Sequence, residues 1–278
     1  MGPVGVPPPF FLLFFLKNYD IIYIENVKKG INMKHNIRVF CTGDVHRHDN
    51  ERFYQFDHIK DELQNSINYV IVLGDFGLNY YNNISDDLIK KFYNRFAEDY
   101  NFTFIAVRGN HELKPESLSN YKEIYKNEDG LTGRFLIEDN YPRLLFCYTY
   151  GQFTIGNKSF YQIGGAYSVD KFHRLRIGGM WTPDEQLTDE EKITCEKDIV
   201  NYPINYMLSH TCPLKWVPTY LFLGEVNQKT VDNTTEIWLD RIEESITYDK
   251  WYFGHYHGNE IINDKAEILF NQIKEIEI

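Results

Sequence analysis

The sequence predicts an α/β fold whose sheet starts parallel and becomes antiparallel in the middle, on three observations. Residues 36–41, 69–73 and 101–107 are short apolar runs, each followed within two residues by Gly-Asp or Gly-Asn. The segments between them, 51–65 and 85–99, carry apolar residues at helical spacing. The order strand, helix, strand, helix, strand implies parallel pairing with the strand ends at one edge. Later, Gly156-Asn157 joins two strand-like runs, and both residues tolerate positive φ, which marks a hairpin.

The run 69–73 lacks polar alternation and reads as a strand buried on both faces. It puts Asp75 just outside the carboxyl end of a central strand, where ligands bind in open α/β sheets. A lone Gly-Asp is a turn, but the pattern recurs at Gly43-Asp44-Val45-His46, Gly74-Asp75 and Gly109-Asn110-His111. Phe53, Phe56, Ile59 and Leu63, then Leu88, Ile89, Phe92 and Phe96, are the expected buried helix faces, with Ser85 as N-cap. Residues 115–126 are expected to form a short helix on Leu118, Tyr121, Ile124 and Tyr125, and 127–133 a loop. Strand-like runs follow at 143–148, 152–155 and 159–163, then a long loop leads through Trp181 to Glu185. Thr188 and Glu191 offer a capping box for a helix over 188–200. Residues 234–245 read as a helix with Ile237, Trp238, Arg241 and Ile242 on one side. Runs 204–208 and 250–253 lead into Ser209-His210 and Gly254-His255-Tyr256-His257.

With 278 residues, 43% of them hydrophobic, the chain can bury a full core, read here as one domain over 33–278. Its 29 basic and 40 acidic residues give a net charge of −11 without a Lys/Arg block, which argues against long duplex nucleic acid as a partner. Cys41, Cys147, Cys195 and Cys212 show no C-x-x-C pairing and fit buried thiols in a reducing cytoplasm. The apolar run 10–16 falls short of the roughly 20 residues of a membrane span and lacks the basic flank and cleavage site of a signal peptide. Lys29-Gly30 ahead of Met33 fits a purine-rich ribosome-binding sequence. Residues 1–32 are therefore expected to be a non-native or disordered extension, an expectation that native peptides from before Met33 would refute.

Seven strand-end residues have metal-ligand chemistry: Asp44, His46, Asp75, Asn110, His210, His255 and His257. His255 and His257, two apart, point to the same side of an extended segment. Imidazole, carboxylate and amide oxygen without thiolate suit manganese, iron or zinc. The set exceeds one four-coordinate site and fits two ions sharing a carboxylate, for which Asp75 on the central strand is the natural bridge. A lone strand-end histidine is more often structural, and His35, His58 and His173 are read so.

In this order, Gly43-Asp-Val-His46, Gly74-Asp75, Gly109-Asn-His-Glu112, His210 and Gly254-His-Tyr-His257 resemble the motif series of the calcineurin-like metallophosphoesterase superfamily. Residues 164–185 further resemble a small group of bacterial and phage phosphoesterases. The resemblance implies a four-layer α/β/β/α sandwich of two mixed sheets flanked by helices. It implies two divalent ions, manganese first, with Asp44, His46 and His257 on one, Asn110, His210 and His255 on the other, and Asp75 bridging. It also implies attack of a shared hydroxide on a phosphate mono- or diester, with His111 assisting the leaving group.

Phe76-Gly77-Leu78-Asn79 stands where protein Ser/Thr phosphatases carry a longer motif with a phosphate-binding arginine, so Arg108-Gly-Asn-His-Glu112 does not make this a protein phosphatase. The expected substrate is a small phosphate ester or nucleotide, with no membrane partner. Arg47 and Arg108 are candidate substrate contacts, followed by Arg174 and by Trp181, which either stacks on a base or packs. The alternative function is a non-catalytic, metal-stabilised binding scaffold of the same fold. The complete ligand set together with His111 favours the enzyme.

Overall fold

Strand pairing in the computed structural model, which describes residues 36–221 and 226–278, begins in parallel as expected. β1 (Asn36–Thr42), β2 (Ser66–Leu73) and β3 (Phe102–Val107) lie side by side, with Val39 opposite Tyr69 and Ile71 opposite Ile105. Alternate side chains of β2 enter different cores: Tyr69, Ile71 and Leu73 one, Val70 and Val72 another. A strand apolar on both faces needs such a layer on each side.

The stretch expected to be a helix and a loop is instead a hairpin of β4 (Lys122–Glu128) and β5 (Leu131–Ile137). Asp129-Gly130, both with positive φ, is a two-residue turn that suits paired strands, and it overrides the helix-like spacing of Tyr121, Ile124 and Tyr125. β6 (Leu144–Phe146) follows, and β7 (Tyr150–Ile155) and β8 (Lys158–Ile163) turn back at Gly156-Asn157 as read from sequence. β9 (Tyr206–Ser209) and β10 (Lys250–Phe253) continue parallel to β8. β11 (Glu260–Ile261), β12 (Ala266–Ile268) and β13 (Lys274–Ile276) complete the set, the last antiparallel to β1. Hydrogen bonding joins all 13 strands found among the described residues. The two separate sheets expected are therefore parts of one large curled sheet.

Residues of β2, β7, β8 and β9 meet in a shared core that includes Leu73, Phe153, Phe160 and Leu208. The 3₁₀ segment Glu51–Ile59 runs into α1 (Lys60–Leu63), and with α2 (Ile84–Asp99) it covers a second core around Phe53, Tyr93 and Phe104. α4 (Asp189–Ile199), which carries the expected Thr188/Glu191 capping box, and α5 (Thr234–Ser245) cover a third around Trp238 and Trp251. Between them α3 (Lys171–Ile177) occupies part of the expected loop and buries no residue.

The inner face of α2 differs from expectation. Leu88 and Phe92 are exposed, while Tyr93, Ala97 and Lys90 point inward. Lys90 is drawn in by the buried carboxylate of Glu138, and the Tyr93 ring packs edge-on against Phe53 and Phe76, so tertiary partners rotate the helix away from its apolar stripe. The N-cap is Asn83, whose side chain accepts from Ser85 N–H at 2.9 Å, and not Ser85 itself. In α5, Trp238 and Ile242 are buried but Ile237 is exposed. All four cysteines are buried and unpaired. No helix among the described residues is long and apolar enough to cross a membrane. The extension expected over 1–32 lies outside the described residues.

Candidate metal centre

The loops after β1, β2, β3, β9 and β10 bring the expected ligands together. Asp44, His46 and His257 place one ligand atom each within 4.8 Å of one another, and so do Asp44, Asp75 and His210. Asp44 is common to both groups. Its Oδ2 accepts the His255 backbone N–H at 2.8 Å, and its Oδ1 lies 3.7 Å from His257 Nε2. Asp75 Oδ1 accepts the His111 N–H at 3.0 Å, and Oδ2 lies 3.6 Å from both His210 Nε2 and His111 Nε2. Asn110 donates through Nδ2 to Ser168 Oγ at 2.7 Å, which aims its Oδ1 at His210 Nε2, also 2.7 Å away. His210 Nδ1 lies 2.8 Å from the Leu73 carbonyl, and as the donor there it leaves Nε2 for a ligand. The His255 ring stands 4.9 Å from that of His210, centroid to centroid.

The backbone carries strain at these positions. Asp44, His46, Asp75, His255 and His257 all have φ between 40° and 69°. In residues other than glycine such a conformation costs about 1 kcal/mol or more and persists where the surroundings over-determine it. Those surroundings include glycines chosen for close approach: a Cβ on Gly74 would overlap the His210 ring, and one on Gly109 would overlap Asp75. Buried Glu112 accepts from Gly77 N at 2.8 Å, Leu78 N at 3.3 Å and Gly109 N at 3.0 Å, tying the loops after β2 and β3 together. Sequence reading gave Glu112 no role of its own. Its place three residues after Gly109, inside the third motif, was the available signal.

Electrostatics favours a cation here. Burial raises the Asp44 carboxyl to about 7, opposed by His210 and reinforced by the like charge of Asp75. Burial also opposes charge on His210, but Asp75 and Asp44 outweigh it and hold the imidazole at about 9. Asp75 is likewise resisted by burial and drawn below the ordinary carboxylate range by His210. Burial keeps His46, His255 and His257 neutral, His257 down to about 4. Asp44 Oδ1 is buried without a hydrogen-bond partner. Neutral imidazoles around an uncompensated carboxylate oxygen offer lone pairs and negative charge at one point, so these residues fit divalent ions.

The cluster opens into a cleft of about 210 Å³ lined by Asp75, Asn110, His111, Asp170, His255 and His257 among others. Tyr80, another residue unremarked in sequence, places its hydroxyl 2.8 Å from His46 Nδ1 and its ring beside His111. Arg47 and Arg108 are not brought to the cleft. Arg47 pairs with buried Asp86 and donates to Ser85 Oγ at 2.8 Å. Arg108 donates to the carbonyls of Asp184 at 3.0 Å and Glu185 at 3.2 Å. Adjacency in sequence to a ligand set where their backbones lie but not where their guanidinium groups go. Trp181 is also committed: Lys171 Nζ sits 4.0 Å over its ring, and its Nε1 donates to Glu185 Oε2 at 2.8 Å. A larger hollow of about 690 Å³, lined by β4, β5, β7 and α4, holds none of the metal-ligating groups found among the described residues.

Residues 37–259 match the family model described as calcineurin-like phosphoesterase. The solved structure of a phosphopantetheinyl hydrolase from Mycobacterium tuberculosis aligns with 85% of this chain and 89% of its own, at 15% identity and a TM-score of 0.43. A search of curated proteins finds no match.

Proposed function

The chain belongs to the calcineurin-like phosphoesterase family, and from that premise we propose that it hydrolyses small phosphate mono- or diesters at a dinuclear metal centre. The observation that carries this reading is that Asp75 and His210 lie within ligand distance of Asp44, which also stands with His46 and His257, and that Asp44 Oδ1 is buried without a hydrogen-bond partner. Asp44, His46 and His257 would hold one ion and Asn110, His210 and His255 the other, with Asp75 between them. The donor set suits manganese, with iron or zinc as alternatives. Such ions supply Lewis-acid charge and acidify a water for in-line attack on phosphorus.

The chain's own residues do the rest. Ser168 fixes the Asn110 amide, and the Leu73 carbonyl fixes the His210 tautomer. His111 lines the cleft with Nε2 3.6 Å from Asp75 Oδ2, a position from which Nε2 can deliver a proton to the leaving oxygen.

The test is hydrolysis of bis-p-nitrophenyl phosphate and p-nitrophenyl phosphate by metal-stripped protein, with manganese restored stepwise, beside Asp75→Asn. We expect manganese-dependent release that the variant lacks, and the diester-to-monoester ratio then assigns the ester class. Two bound ions without release from either ester would favour the scaffold reading.

A further inference from the structure

A phosphoryl group held at a pair of ions still presents anionic oxygens, and a third cation at the rim would bind them. Four arginines bear on this part of the molecule, and three turn the ends of their guanidinium groups to protein partners away from the cleft. Arg47 and Arg108 are spent as described above. Arg52 lies behind the ligands, donating to Thr42 Oγ1 at 3.1 Å and to the Asp44 carbonyl at 3.1 Å, and pairing with Asp49.

Arg174 is different. It projects from α3, a helix that stops at Gly178 in the left-handed conformation. Its Nε is 2.9 Å from Asp170 Oδ2, and its Nη1 donates to the Met180 carbonyl at 2.9 Å. Asp170 itself lines the metal cleft. The side chain is 19% exposed, and Nη2 makes no hydrogen bond among the described residues. The Arg174 charge is near enough to act on Asp75, Tyr80 and His46. An arginine anchored at Nε with donors left at the far end of its fork is pre-organised for an oxyanion, because the ordering cost is met before the ligand arrives.

Resting on the phosphoesterase reading, we infer that Arg174, fixed at the rim by Asp170 and the Met180 carbonyl, binds the phosphoryl oxygens of the substrate. A purely structural role would be to pin α3 through its i, i+4 pair with Asp170.

The experiment is calorimetric titration of inorganic phosphate into manganese-loaded wild type, Arg174→Ala, Arg174→Lys and Asp170→Asn, with metal content and melting temperature measured on each. Arg174→Ala should keep its metal and weaken phosphate binding by about tenfold or more, as for one charge-assisted hydrogen bond. Arg174→Lys should recover part of that loss, and Asp170→Asn, which frees the fork without removing the charge, should lose less. Where turnover is present, Arg174→Ala should raise KM more than it lowers kcat. Unchanged phosphate binding in Arg174→Ala, or loss of its metal, would overturn the assignment. If wild type hydrolyses no ester yet its phosphate binding depends on Arg174, the hydrolase reading falls and the assignment stands.

Discussion

On the floor of the cleft the ligands ride at the ends of strands buried between layers, whereas on the rim Asp170 and Arg174 belong to a seven-residue helix and its cap with no buried side chain. The floor is locked by backbone: positive φ at five ligands, glycines pressed against neighbouring ligands, and Glu112 bridging two loops. The rim is held by an ion pair, a carbonyl contact and Lys171 over the Trp181 ring. Ligand geometry is thus a property of packing, while the rim's is a property of a few side chains. A substitution on the floor that alters no charge should therefore cost metal, and one on the rim should cost substrate affinity alone.

Gly109→Ala is the most severe way to break this comparison. The added methyl must overlap the backbone nitrogen and carboxylate of Asp75, so the loop after β2 has to move. We expect the variant to fold, to lose bound metal, and to lose turnover by more than the roughly 10⁴-fold upper range for removing a single acid–base group. Metal analysis and ester hydrolysis check it together. Full metal content with normal turnover would mean that the floor is not sterically locked.

His111→Ala should have a smaller and different effect, because His111 lines the cleft and is proposed to move a proton, not to hold an ion. Turnover should drop by about a hundredfold while metal content stays at the wild-type level. The two variants together separate building the floor from using it. Unimpaired turnover in His111→Ala would remove this side chain from the reaction.

The floor was legible because its signal is local: an apolar run, a glycine and a ligand lie next to one another in the chain, and parallel strands bring such ends together. The rim was legible only in part: Arg174 stood among the candidate substrate contacts, but nothing in residues 171–177 distinguishes a short exposed helix from a loop. Arg47 and Arg108 misled for the converse reason. They are neighbours of ligands in sequence, but Asp86 and the Asp184 and Glu185 carbonyls, all distant in sequence, claim their side chains. The same kind of remote partner turned α2, where Glu138 pulls Lys90 inside. At β4 a two-residue Asp-Gly turn decided between strand and helix against the apolar spacing. Tyr80, in no motif, and Ser168, inside the 164–185 resemblance but given no role there, became visible as residues that orient ligands only through their contacts.

The smallest expected effect sharpens the comparison from behind the floor, where α5 places Glu236 almost wholly buried. Its Oε1 accepts from Thr211 Oγ1 at 2.7 Å, and its Oε2 has no hydrogen-bond partner. Burial raises this carboxyl from 4.5 to about 7. Because the folded-state value lies above the unfolded one, the protonated form favours folding. That contribution is complete below 4.5 and is lost as pH rises through about 7. Glu236→Gln keeps an acceptor for Thr211 and cannot ionise. Its stability relative to wild type, followed through the melting temperature, should therefore climb between about pH 4.5 and pH 7, by on the order of 3 kcal/mol at about 1.4 kcal/mol per unit. A stability difference that does not change with pH would show that the buried floor tolerates this charge, and that what distinguishes floor from rim is steric fit alone.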